Sequence, residues 1–176
     1  MTETKQPEPW LRGTLTEVPP VGRAVLHALE AAQEDLIKWC GALDNRQLNA
    51  RPNGVASVAF HIRHIARSID RLLTYAEGRQ LDEKQMAVLR TELDPEASPE
   101  ELLEELHMAF AKAEMRIRAL APSDLRTTRL VGQKELPTTL GGLLVHVADH
   151  TQRHVGQAIV TAKFVLGSRR DSTGRD

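Results

Sequence analysis

Two observations predict an all-α protein, a four-helix bundle with an extended N-terminal arm. Apolar residues recur at three- and four-residue steps over four long stretches, the period of amphipathic helices. Aromatic residues make up only 3% of a chain whose apolar share is 41%, so aliphatic side chains and alanine must fill the interior. Such an interior suits helix-on-helix packing better than a sheet sandwich. At 176 residues the chain is long enough for one domain with a sizeable core.

Residues 1–18 hold Pro7, Pro9 and Gly13 and read as the extended arm. Pro19 and Pro20 mark a start, after which Val21, Val25, Leu26, Leu29, Ala32, Leu36 and Ile37 keep helical spacing to near Gly41. The polar segment from Asp44 to Gly54, with Pro52, reads as a connection. A second helix spans 56–76, with Val58, Ile62, Ile65, Ile69, Leu72 and Leu73 on one face and Gly78 closing it. Residues 79–97 are charged and irregular, with room for a short helical piece around 83–90. Ser98-Pro99-Glu100-Glu101 is a strong start signal: a capping serine, a proline at the first helical position and a glutamate three residues on. The third helix runs from there to about Leu120. Residues 121–137 form the last connection. Thr138 or Thr139 opens the fourth helix, which ends near Leu166, so the bundle occupies 19–166 and residues 167–176 form a flexible tail. The chain shows no internal repeat and no low-complexity segment.

Charge and cysteine content exclude several classes of function. The 23 basic and 24 acidic residues nearly cancel, giving a net charge of -1, so neither nucleic acid nor a membrane surface is an expected partner. Cys40 stands alone, which rules out an internal disulfide and points to a reducing compartment. It reads as a small buried filler rather than a nucleophile. No leader precedes the first helix and no run approaches the ~18 apolar residues of a membrane span, so a cytoplasmic protein is expected.

Chemistry concentrates in the histidines. His150 and His154 lie four residues apart, about 40° around the helix, so both rings tilt toward one point and can grip a single metal ion. With Val147 set at 0°, Leu140, Leu143, Leu144, Thr151, Ala158 and Val165 fall within about 60° and define the buried face. His154 then lies near about -20°, His150 near about -60°, Gln157 near about -80° and His146 near about -100°. One inward histidine is more often a core residue satisfied by a hydrogen bond than a ligand. Two on consecutive turns shift that balance, because burying both without a common partner leaves polar nitrogens unsatisfied.

The second helix supplies a complement. With Ile65 at 0°, His61 falls near about -40°, Ser68 near about -60°, Ser57 near about -80° and His64 near about -100°, a polar stripe along an apolar face. Periodicity leans to His61 as the inward residue and does not choose a ligand between the two. His27 and His107 lack partners at ligand spacing and read as boundary packing and surface. Glu100, Glu101, Glu104 and Glu105 read as a solvated face, well placed for the positive end of their helix.

The runs P-N-G-V-A-S-V-A-F-H-I-R-H-I-A-R-S and L-P-T-T-L-G-G-L-L-V-H-V-A-D-H-T-Q-R-H-V-G-Q resemble the DinB-like (YfiT-like) superfamily of metal-binding four-helix bundles. The resemblance extends over roughly residues 21–166. It implies three histidines holding one divalent ion, nickel or zinc among others: the histidine directly before Ile-Ala, here His64, and the later pair His150 and His154. The resemblance therefore selects His64 where periodicity leans to His61. His61 and His146 become residues that orient a ligand or touch substrate, with Gln157 and Arg153 nearby. Some members of the superfamily are thiol S-transferases using bacillithiol or mycothiol, and a related branch isomerises maleylpyruvate with mycothiol. A homodimer is expected from the family likeness alone.

Three neutral imidazoles leave the ion its +2 charge and at least one open position, the arrangement of a catalytic rather than a structural metal. Such an ion lowers the pKa of bound water or holds a thiol as thiolate. The expected function is a metal-dependent enzyme acting on a small molecule, as a small-thiol S-transferase or a hydrolase. The alternatives are a non-catalytic metal-containing binding or stress-response module, and a structural reading in which the histidines are core residues and the bundle is an interaction or dimerisation unit.

Overall fold

Local start signals fix where the long helices begin. The computed structural model describes residues 6–92 and 98–172, with side chains described as far as 167. Helix α1 (Pro20–Cys40) opens with proline in its first turn. Helix α3 (Val58–Ala76) is capped by Ser57, whose Oγ accepts from the Phe60 amide at 3.1 Å. Helix α5 (Pro99–Leu120) carries the reciprocal capping box that its sequence predicts. The Glu101 amide donates to Ser98 Oγ at 3.2 Å, and the Ser98 amide donates to the Glu101 carboxylate at 2.9 Å. Two short helices built on the same device interrupt the connections: α2 (Asn45–Asn49), capped by Asp44 and Gln47, and α4 (Glu83–Arg90), capped by Asp82 and Gln85.

The fourth long helix, α6 (Leu140–Ser172), departs from expectation at both ends. The expected connection of 121–137 contains an antiparallel hairpin, β1 (Thr128–Val131) and β2 (Leu136–Thr139), with Thr128 opposite Thr139 and Val131 opposite Leu136. Thr138 and Thr139 therefore belong to a strand, and the Thr139 hydroxyl caps the helix by accepting from the Gly142 amide at 3.0 Å. Strands this short show too little alternation to read from sequence, and Pro137 reads as a breaker although it is tolerated on an edge. The hairpin also secures α3: Arg129 Nε donates to the Ala76 carbonyl at 2.6 Å. At its far end α6 runs past Leu166 to Ser172, so the helix extends into the expected tail; residues 173–176 lie outside the described set, as do residues 1–5 of the arm.

Residues 6–19 lie along α1. Pro9 is buried in a single 3-10 turn, Val18 enters the core, and Arg12 reaches Glu30 at 2.8 Å and Glu34 at 2.6 Å. Helix α3 is the centre of the bundle, packing most extensively on α6 and then on α5, while α1 packs mainly on α6. Its Ile62, Ile65, Ile69 and Leu73 meet Leu36 of α1, Leu102 and Ile117 of α5, and Leu140, Leu144 and Val147 of α6 in one core. Where α1 passes the end of α5, a Cβ on Gly22 would stand 2.5 Å from Ala121 Cβ, so only glycine permits that approach. Cys40 is buried, and burial pushes its thiol up to about 11, consistent with a filler rather than a nucleophile. No described helix is long and apolar enough to cross a membrane.

Candidate metal centre

The seam between α3 and α6 carries the histidines. Three of them, His64, His150 and His154, offer ligand nitrogens that all lie within 4.8 Å of one another. Their ring centroids form a small triangle, 5.0 Å from His64 to His150, 4.4 Å from His64 to His154 and 4.7 Å from His150 to His154. Nε2 of His64 and Nε2 of His150 are 3.4 Å apart. An ion bound tetrahedrally through metal–nitrogen bonds of about 2.0–2.1 Å spaces its ligands by about 3.3–3.4 Å. The separation fits two ligands on one ion, and the third nitrogen lies within 4.8 Å of both.

The outer nitrogen of each ring is engaged elsewhere. His64 Nδ1 lies 2.8 Å from Glu92 Oε2. His150 Nδ1 lies 3.4 Å from Ser68 Oγ, which donates its own proton to the Ile65 carbonyl at 3.2 Å and so faces the ring as an acceptor. His154 Nδ1 lies 3.1 Å from Nδ1 of His61. The Glu92 carboxylate is an acceptor, so His64 carries its proton on Nδ1 and turns its Nε2 lone pair toward Nε2 of His150; an Nδ1 proton on His150 and His154, donated to Ser68 and His61, would complete the same arrangement. Phe60 stacks on His64 at 5.4 Å with ring planes 17° apart, which limits rotation of that imidazole.

Electrostatics favour the ligand form. Burial, reinforced by repulsion from the neighbouring imidazoles, lowers His61, His150 and His154 to about 4, so these rings are neutral at pH 7. Glu92 responds the other way. Burial alone would raise its pKa, but hydrogen bonds from His64 and Arg71 outweigh burial and hold the carboxylate ionised. A carboxylate behind a histidine is a common support for metal ligation, fixing the tautomer and raising the basicity of the inner nitrogen.

The two arguments over the second helix meet here. His61 is the more deeply buried residue, 5% exposed, as periodicity suggests. Yet His64, at the edge of the apolar face with its side chain 17% exposed, is the one that joins the pair. The centre lies where the α3–α6 seam opens toward solvent, not on the axis of the core, so an edge residue meets it and an inward residue supports it. His146 is half-exposed, packs edge-on to His150 at 5.4 Å and holds Asp149 at 2.8 Å. Arg153 is exposed, 3.5 Å from Asp149. Gln157 is exposed, and among the described residues no hydrogen bond joins it to a histidine. His27 is buried with its Nε2 3.1 Å from Thr14 Oγ1, and His107 is exposed, so neither approaches the centre.

Sequence reasoning missed Glu92 and Arg71. Glu92 lies in the charged 79–97 stretch, where no periodicity distinguishes one acid from the next, and it is buried only because the chain folds back over α3. Ser68 was legible as part of the polar stripe.

Comparisons with known proteins agree with this architecture. The family model of the DinB superfamily matches residues 28–158. YfiT from Bacillus subtilis, described as a probable metal-dependent hydrolase with an unusual four-helix bundle topology, superposes with a TM-score of 0.61 at 19% identity, over 83% of this chain and 87% of that one. No curated protein sequence matches the chain.

Proposed function

The chain belongs to the DinB superfamily, and from that premise we propose that it is a metal-dependent enzyme acting on a small molecule, with His64, His150 and His154 as ligands of one divalent ion. One observation carries the reading: three imidazoles stand at ligand spacing, two of them held neutral by burial, with each outer nitrogen facing a partner. The all-imidazole set suits nickel or zinc. When bound, such an ion would supply Lewis acidity at an open coordination position and activate a water or a small thiol there. The chain's own residues do the rest. Glu92 and Arg71 hold His64, Ser68 holds His150, and His61 holds His154. His146, oriented by Asp149 at the solvent side, is positioned to exchange a proton with substrate, and the exposed Arg153 to attract an anionic group. Hydrolysis and thiol S-transfer both fit this layout, and the description of YfiT favours hydrolysis. A cytoplasmic location, supported by the single buried thiol, and a homodimer, supported by family likeness, belong to the same proposal.

Metal analysis of protein purified without an affinity tag tests the reading. About one equivalent of divalent ion is expected, together with turnover of an ester, amide or thiol–electrophile panel that disappears in His64→Ala. Bound metal without turnover over the whole panel would leave a non-catalytic binding module. Protein that takes up no divalent ion would leave an inert bundle.

A further inference from the structure

On the face of α3 turned away from α6, a crevice of about 330 Å³ opens between α3, α4 and α5. Its volume falls at the small end of the ~300–1,000 Å³ typical of small-molecule sites. The lining is aliphatic: Ile69 and Leu73 of α3 and Ala113 of α5 are buried behind it, Met108 of α5 is 44% exposed, and no aromatic residue lines it. The third wall, α4, buries none of its own side chains, and its Val88 borders the crevice while 40% exposed. Hydrogen bonds rather than packing hold α4 in place: Gln85 donates to Asp70 at 2.6 Å and to Thr74 at 2.8 Å, and Arg67 donates to the Val88 carbonyl at 3.1 Å.

The rim is cationic. Five basic residues (Arg67, Arg71, Lys84, Lys112 and Arg116) line the crevice, and the acids paired with them are Asp70, Glu77, Glu92 and Glu105, a surplus of one positive charge. Arg116 pairs with Asp70 and Arg67 with Glu105, while Arg71 holds Glu92. Lys84 and Lys112 are exposed and form no ion pair among the described residues. An aliphatic crevice lined by two lysines without an ion pair among the described residues complements an aliphatic tail bearing one negative charge.

We propose that this crevice is a binding site for a small aliphatic carboxylate, its tail against Met108 and Val88 and its head between Lys84 and Lys112. The crevice shares one residue with the histidine centre, Arg71, which also holds Glu92. Lys84 and Lys112 pair with neither Glu92 nor a histidine among the described residues, so substituting them separates this site from metal binding.

Isothermal titration with octanoate, octanamide and octylammonium at low and high salt tests the proposal. Octanoate is expected to bind with about 1:1 stoichiometry, at least tenfold more tightly than either control, and to weaken as salt rises. The Lys84→Glu/Lys112→Glu double variant is expected to lose at least tenfold in octanoate affinity while retaining wild-type metal content. Circular dichroism checks that it folds, and Lys84→Ala/Lys112→Ala serves in its place if it does not. Equal affinity for octanoate and octanamide, an unchanged lysine variant, or no octanoate binding up to millimolar concentration would each overturn the proposal.

Discussion

Helix α3 presents two seams of opposite chemistry. Toward α6 it sets His61, His64 and Ser68, whose polar atoms meet neutral imidazoles. Toward α4 and α5 it sets Arg67, Asp70 and Arg71, whose charges are matched by Glu105, Arg116 and Glu92. The first seam removes charge by burying bases until they release their protons. The second keeps charge and neutralises it pairwise. Only the first leaves lone pairs free to bind a cation, since a carboxylate already accepting from arginine has little left to give. Glu92 joins the seams, one oxygen on Arg71 and the other on His64.

The strongest way to break this contrast is to remove an inner nitrogen. His150→Ala or His64→Ala is expected to lower affinity for a divalent ion by more than about a hundredfold, beyond the 10–100-fold typical of losing an outer partner. Titration against a competing chelator measures it. Because the core does not depend on the ion, the metal-free variants are expected to stay helical. Unchanged affinity in both would sink the assignment of the seam.

Next in size is the bridge between the seams. Glu92→Gln keeps the shape but removes the negative charge behind His64 and leaves Arg71 without its counter-ion. Metal affinity is expected to fall about 10–100-fold, short of the loss on removing a ligand. If Glu92→Gln bound metal like the wild type, the ionic seam would have no reach into the centre.

Acid separates the seams without mutation. In the unfolded chain the imidazoles protonate as pH falls through about 6.5. In the folded protein His61, His150 and His154 resist until about 4, because burial and mutual repulsion disfavour the cation. Between those values the unfolded state binds more protons, so stability falls as pH falls. The contribution of these rings is complete above about 6.5 and is lost progressively toward 4. Thermal melts of metal-free protein from pH 7.5 to 4.5 are expected to show a declining melting temperature, and a flat profile would contradict neutral burial of the cluster.

How much of this was legible in the sequence follows from the range of each interaction. Ser98 with Glu101, Ser57 before Val58, and the isoleucine spacing of α3 act within one or two helical turns, so the long helices could be read directly. The pair His150 and His154 is likewise one turn apart. His64 needed the family resemblance, because a rotation angle measures depth in the core and the centre lies at its edge. Glu92 was invisible: it meets His64 across 28 positions of sequence, from a stretch whose composition resembles any solvated linker. The hairpin of β1 and β2 was hidden by the brevity of its strands and by Pro137.

The smallest effect belongs to the ionic seam alone. Glu105→Gln removes the partner of the Arg67 guanidinium, a pair 2.6 Å long whose carboxylate side chain is 35% exposed. Water screens such a pair and arginine keeps other acceptors in the Val88 carbonyl and the Thr91 hydroxyl, so the loss of stability is expected to stay below about 1 kcal/mol. Metal affinity is expected to match the wild type, because Glu105 touches neither Glu92 nor a histidine. Denaturant unfolding and the same chelator titration read the two quantities on one sample. A large loss of metal affinity in Glu105→Gln would mean that the two seams act as one network and that charge pairing across α3 and α5, not the local support behind each ring, sets the geometry of the centre.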